Sequence, residues 1–465
     1  MKKRIALCVL AAGMTLAAQA QTKSGGITPA MMKSIASQDM KSPAQKALTN
    51  AIQNNSINTL AKGKASRMPV PKTFAVETRQ QSIQDQKSSG RCWMFSGLNV
   101  LRNDFALQNE GKSVVFSQSY LFFWDQLEKS NLFLQSIIDT GRKDINDPEV
   151  QFLFGQPLSD GGTFCGVIDL VGKYGLVPQS VAPETFSSES TSQASSIIKR
   201  KLREYGLRLR QMVAEGKKPA ALAAEKTAML KTVYGILSTV YGEPVETFTY
   251  QHTDKDGKPV GEQKEYTPLS FAKECGATGL DTRYLIVMND PRHAYHKVYE
   301  VEYDRHTYDG HNWRFLNLPM DEIEALAVTA LKAGKKLYTS YDIKDFDSKR
   351  GLASLDVYDY ESLFQTSFPM DKAERLATRE SASAHAMTLT AVDTTATGKP
   401  RYWKVENSWG AASGQNGCVV MTDEWFREYT FRLCVEKQYV PEALIKEAGQ
   451  KPVMLKYDDI LFSEE

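Results

Sequence analysis

Cysteine, long apolar runs and any surplus of one charge are all scarce in this chain of 465 residues. Lys plus Arg number 57 against 55 Asp plus Glu, so no broad basic field announces a nucleic-acid partner. Beyond the first twenty residues no apolar run is long enough to span a bilayer, and the body of the chain carries no membrane anchor. Metal-ligand spacing is lacking too. His293 and His296 in NDPRHAYHK have a two-residue interval, but no cysteine or acidic ligand pattern accompanies them, so no metal is expected. His252, His306 and His311 lie in polar, loop-like contexts. The remaining composition, 42% hydrophobic and 24% charged, is that of an ordinary globular protein with a large core.

The first residues are the exception to the missing apolar runs. A basic start, MKKR, precedes an apolar stretch over residues 5–18, and Ala18-Gln19-Ala20 fits the small-x-small cleavage rule. Residues 1–20 read as a secretory signal peptide cut after Ala20, and the expected location is exported, most simply periplasmic. Cys8 leaves with that segment. The five cysteines that remain fit one reactive thiol plus four that are either two bridges or buried and reduced.

The stretch QKSSGRCWMF (residues 86–95) carries the most chemistry. Cys92 follows the turn Ser88-Ser89-Gly90 and opens a helical pattern, with Met94, Leu98, Leu101 and Phe105 on one face. A helix N-terminus favours the thiolate, the nucleophilic form of cysteine. Gln86 stands six positions upstream with a side-chain amide to offer. Two strand-like runs follow much later: HAMTLTAV, opening on His385, and YWKVENSWG, which contains Asn407 and Trp409. Thiol acyl transfer needs a nucleophile, a base and a group that orients the base. Cys92, His385 and Asn407 supply those types in that order.

That order, Gln, Cys-Trp, His, Asn-Ser-Trp-Gly, resembles the papain superfamily of cysteine peptidases. The wording QDQKSSGRCW, FSQSYLFFWD, DGG, NDPR, HAMT and KVENSWG is similar to its bleomycin hydrolase and aminopeptidase C branch, from about Lys46 to the C-terminus. The resemblance implies an α+β fold: a papain-like two-lobed core with a large, mainly helical insertion. Papain-like chains place the histidine roughly 130–150 residues after the cysteine, and the gap here is about twice that. The reading divides the chain into an N-terminal extension (21–70), whose first twenty or so residues read as flexible, and a helical lobe with the nucleophile (71–187). An inserted helical and strand-rich region (188–341), a β-rich lobe with His385 and Asn407 (342–455) and a C-terminal arm (456–465) complete it.

The resemblance also implies roles. Cys92, His385, Asn407 and the oxyanion donor Gln86 are the catalytic residues, with no cofactor. Asp160-Gly161-Gly162 is the backbone that pairs with an extended substrate, Trp409 shields the His385–Asn407 bond, and Glu465 at the end of the arm faces the substrate's free amine. Secreted papain-like enzymes carry a disulfide where this chain has Ser89 and Ser159, which favours four reduced cysteines at Cys165, Cys275, Cys418 and Cys434. The implied function is a cysteine aminopeptidase acting on peptides, assembled as a homohexamer. Endopeptidase action, acyl transfer, or binding without turnover are the alternatives on the same fold. The basic run Lys199, Arg200, Lys201, Arg203, Arg208 and Arg210 reads as a solvated helix face, or as the lining of an oligomeric channel.

Overall fold

The computed structural model describes residues 25–36 and 42–462. The segment read as a signal peptide and Glu465 both lie outside the described residues. Contacts divide the chain into two units, residues 1–61 and 62–465. The first holds three helices, Pro29–Ala36, Pro43–Asn54 and Ile57–Leu60. Ser42 and Ser56 cap the second and third through their side-chain oxygens. The helix at Pro29–Ala36 falls in a stretch whose polar composition gave no sign of it.

Within the second unit, the helix Cys92–Gln108 lies between other helices and a sheet. Gln118–Asp139 and Phe164–Tyr174 pack on one side of it, and the strand His385–Thr394 on the other. Every residue from Cys92 to Phe105 is buried, polar ones included, so the single apolar face expected from periodicity becomes an all-round contact. Gly97 lets the helices close up, because a Cβ there would overlap Val167. Ser117 caps the aromatic-rich helix Gln118–Asp139 by accepting from the Tyr120 amide. The charged stretch forms two helices, Ser192–Ala214 and Pro219–Tyr241. Four of its basic groups are engaged within the chain. Lys201 pairs with Glu204 and Arg208 with Glu225, while Arg203 and Arg210 donate to carbonyls at the ends of neighbouring helices.

The sheet has twelve strands. Its centre runs Tyr284–Met288, Thr430–Glu436, Leu337–Tyr341, His385–Thr394, Pro400–Glu406, Cys418–Thr422. Strands from 284–341 therefore hydrogen-bond directly with those that follow the histidine, for example His385 opposite Tyr341 and Arg432 opposite Met288. The strand Val453–Leu455 closes one edge, parallel to Lys297–Val301, and leads into the final described residues. Cys165, Cys275, Cys418 and Cys434 are free and buried.

Candidate active site

Cys92 is the first residue of its helix. Intrahelical bonding begins with the Met94 and Phe95 amides donating to the Arg91 carbonyl, so the Cys92 amide precedes the ladder at the positive end of the helix dipole. The turn before it is held rigidly. Arg91 is fully buried, its guanidinium paired with Glu184 at 2.9 Å and lying over the rings of Phe95 and Phe122. Lys87 adopts a left-handed φ of 53°, and Gly90 approaches Asp160 so closely that a Cβ would overlap its carboxylate.

His385 opens its strand, and its backbone neighbour, the Ala386 amide, donates to the Cys92 sulfur at 3.5 Å. His385 and Cys92 line one small pocket together with Gly162, Tyr338, Ser340 and Arg432. Asn407 follows the strand Pro400–Glu406 and sits 2.8 Å from the ring, Oδ1 to Nε2. That oxygen also accepts from the Ser408 amide at 2.8 Å. A backbone amide can only donate, so Asn407 must present its oxygen here and His385 Nε2 must carry the hydrogen. Nδ1 is left with the lone pair, the form required of a base. Trp409 stacks on the imidazole with ring centres 4.8 Å apart. Burial pushes the His385 imidazole down to about 4, against the bond to Asn407, which favours the charged ring. An imidazolium is thus disfavoured when it stands alone, and depends on a negative charge beside it.

The Gln86 amide is fixed at both ends. Ser408 Oγ donates to its Oε1, and its Nε2 donates to the Ser89 carbonyl, both at 2.5 Å. An amide nitrogen has two hydrogens, so one donor remains. Ser408 belongs to the motif quoted from the sequence, yet its role in orienting Gln86 was not read there.

The Asp160-Gly161-Gly162 segment lies across the pocket. Asp160 ties it to the nucleophile's turn: its carboxylate accepts from the Gly90 amide at 2.8 Å and from Thr191, and its carbonyl accepts from the Trp93 indole at 2.9 Å. Lys129 donates to the Gly161 carbonyl at 2.6 Å, and Gly162 faces the same pocket as Cys92. The C-terminal arm runs close by. Arg432 donates to the Leu461 carbonyl at 2.9 Å, Arg292 meets Asp459 at 3.2 Å, and Arg379 donates to the Asp458 carbonyl at 2.7 Å. Phe462 stacks edge-on against Phe152 and lines a cavity of about 90 Å³ with Lys129, Gly161, Gly162 and His306.

His252, His306 and His311 lie in loops, as their sequence contexts suggested, with His311 exposed. His306 and His252 are buried there: His306 bonds to Asp125, and His252 to Glu274. Their polar sequence neighbours concealed partners that come from distant segments. Among the described residues no cluster of three or more His, Cys, Asp or Glu is arranged to hold a metal ion.

Residues 26–461 match the Peptidase C1-like family. The chain belongs to that family. It is 38% identical over 421 residues to aminopeptidase C of Lactobacillus delbrueckii subsp. lactis, covering 89% of this chain and 93% of the relative. Human bleomycin hydrolase is 38% identical over 392 residues, covering 82% and 86%. The crystal structure of PepW from Lactobacillus rhamnosis superposes with a TM-score of 0.88 at 35% identity, covering 94% of this chain and 99% of that one. The α+β papain-like fold read from the motifs is therefore the fold observed.

Proposed function

We propose that this family member is a cysteine aminopeptidase that removes N-terminal residues from peptides through a thioester. The observation that carries the reading is the oriented His385. Its Nε2 hydrogen is committed to Asn407, and its lone pair is left for the pocket it shares with Cys92. His385 Nδ1 takes the Cys92 thiol proton, the thiolate attacks the peptide carbonyl, and the developing oxyanion is met by the Cys92 amide and the remaining Gln86 donor. His385 protonates the leaving amine, then activates the water that cleaves the thioester. Trp409 keeps bulk water from the His385–Asn407 bond. Every group in this sequence of steps belongs to the chain.

Exopeptidase register is assigned to the arm. Its described end, Phe462, lines the same cavity as Gly161 and Gly162, which supports a tail that limits how far a substrate extends beyond its N-terminal residue. Glu464 and Glu465 then supply negative charge for the free ammonium. Relatives named aminopeptidase C, G and W accord with this register. The decisive experiment compares fluorogenic amino-acid amides, free and N-acetylated, with wild type and Cys92→Ala. Cleavage of free amides alone, abolished in Cys92→Ala, is the expected result. Equal cleavage of blocked substrates means endopeptidase action, and no cleavage at all means a binding protein on this fold.

Export and assembly form part of the same proposal. Residues 1–20 are read as a signal cut after Ala20, which N-terminal sequencing of the protein recovered from periplasm tests. A homohexamer is proposed from the resemblance to the family and the large insertion. Light scattering should give about six times the 52.0 kDa chain, less the leader.

A further inference from the structure

Resting on the reading of Gly161–Gly162 as the substrate strand, we propose that His306 is its positioning residue: the neutral imidazole, oriented by Asp125, clamps the strand at Gly162–Thr163 and releases it on protonation.

The geometry begins with the ring's two nitrogens. Nε2 lies 3.2 Å from the Thr163 amide nitrogen, an obligate donor, so Nε2 is the acceptor. Nδ1 then carries the hydrogen and donates to Asp125 Oδ1 at 2.5 Å. Both side chains are buried, at 2% and 0% exposure, so no water substitutes for either bond. The ring also fills the space beneath the strand. A Cβ on Gly162 or on Gly166 would overlap it, and the Trp93 ring of the nucleophile helix lies 4.5 Å away. Two glycines, one in the strand and one in the helix Phe164–Tyr174, are thus required by one imidazole supplied from more than 130 residues away.

Burial favours the ring's neutral form, while the charges around it pull both ways. Asp125 and Lys129 face it from the helix Gln118–Asp139, 3.0 Å from each other. Asp304 and Arg305 flank it on its own loop, and the Trp93 ring of the helix Cys92–Gln108 lies against it. Burial and then the Lys129 ammonium lower the imidazole's proton affinity, against Asp125 and Asp304. Desolvation works against ionised Asp125, yet Lys129 and His306 outweigh it and hold its carboxyl below the ordinary range. A proton on Nε2 would confront the Thr163 N–H with another N–H. The amide would lose its acceptor, and the segment carrying Gly162 would lose its register opposite Cys92.

The experiment compares His306→Ala with His306→Gln, whose amide can offer one donor and one acceptor but does not titrate. His306→Ala should raise KM for peptide amides about tenfold, with kcat changed less, as expected for loss of a buried hydrogen bond that positions the substrate strand. His306→Gln should restore KM at pH 7.5 and shift the acid limb of kcat/KM to lower pH than wild type. Amide hydrogen exchange across residues 159–164 reads the clamp without turnover. Protection relative to the intrinsic exchange rate at each pH should fall in His306→Ala, and in wild type at acid pH, but not in His306→Gln. This readout separates the two readings: quickened exchange in a protein that cleaves no peptide leaves the clamp standing and removes the peptidase assignment. Unchanged exchange in His306→Ala, or superimposable acid limbs for wild type and His306→Gln, overturns the proposal. If His306→Ala does not fold, Gly166→Ala tests the same contact, since alanine suits a helix and the nearest atoms its Cβ would meet are those of the ring. Gly166→Ala should quicken exchange over 159–164, and an unaltered rate there would overturn the clamp.

Discussion

The two walls of the cleft are held by opposite means. The wall bearing the proposed reactive groups stands on regular backbone: Cys92 starts a helix, His385 starts a strand, and Asn407 follows one. Around the imidazole its hydrogen bonds run between uncharged partners, His385 to Asn407 and Ser408 to Gln86. The wall bearing Gly161 and Gly162 is irregular backbone held by buried charge, with Lys129, Asp125 and His306 around it. A helix and a strand satisfy their own backbone, and in the first wall the Arg91–Glu184 pair braces the turn before Cys92 rather than the helix or the strand. Irregular backbone leaves carbonyls such as those of Ser159 and Gly161 to be satisfied, and the Lys129 ammonium takes both. The separation also suits the chemistry. A fixed cation or carboxylate bonded to His385 would bias its protonation, whereas the strand requires only a constant shape.

The largest expected effect tests whether the first wall is the reactive one. Cys92→Ala should abolish turnover while leaving the thermal transition and the far-UV spectrum unchanged. Turnover that survives, or alkylation by iodoacetamide confined to Cys165, Cys275, Cys418 or Cys434, would move the nucleophile elsewhere. Next comes Gln86→Ala. Loss of one oxyanion donor costs about 10²–10³ in kcat with little change in KM. A pure KM effect would instead assign Gln86 to the substrate-binding wall and dissolve the contrast.

The contrast also explains what the sequence disclosed. Cys92, Gln86, His385 and Asn407 were legible as a candidate set because acyl transfer restricts residue types and local motifs carry their order. The helices at 118–139, 192–214 and 219–241 were legible from apolar and charged runs. Strand pairing was not: nothing in the periodicity of Tyr284–Met288 says that it joins Thr430–Glu436, which itself joins Leu337–Tyr341. The burial of His306 was not legible because the residues that bury it, Trp93 and Asp125, lie about 180–215 positions away in sequence and leave no local mark. Arg432 was overlooked for a similar reason. It sits in a fully buried strand, its guanidinium 4.5 Å over the Trp313 ring, and only the fold brings it to the catalytic pocket and the arm.

A smaller effect is expected from the arm, which reaches the second wall. Deleting residues 462–465 removes Phe462 from the cavity beside Gly161 and Gly162 and removes the acidic end. Loss of one charge-assisted contact to the substrate ammonium should lower kcat/KM for free amides about ten- to a hundredfold, and N-acetylated substrates should become cleavable. Cys92 should still be labelled by a thiol-directed inhibitor. Arg432→Leu, which removes the bond to the Leu461 carbonyl, should move selectivity the same way by a lesser factor. A truncated enzyme that keeps its full preference for free N-termini would show that the exopeptidase register is set elsewhere.

The smallest effect is on stability, and it asks whether the neutral wall is neutral for the reason given. In the folded protein burial lowers the His385 imidazole from 6.5 to about 4. The unfolded ring takes up its proton near the ordinary value, so between those two pH values the unfolded state binds more protons than the folded one. Stability is therefore undiminished above pH 6.5 and declines as pH falls towards 4, by about 3 kcal/mol for this one group. The thiolate obscures this in wild type, because its charge favours the imidazolium. Cys92→Ala removes that charge and exposes the effect of burial alone. Its urea-unfolding free energy should drop between pH 7 and pH 4, and Cys92→Ala/His385→Gln, which retains His306 and all carboxylates, should drop less by that margin. Parallel curves for the two variants would mean that the folded imidazole accepts its proton as readily as the unfolded one. The dependence of the charged ring on a neighbouring thiolate would then have no physical basis.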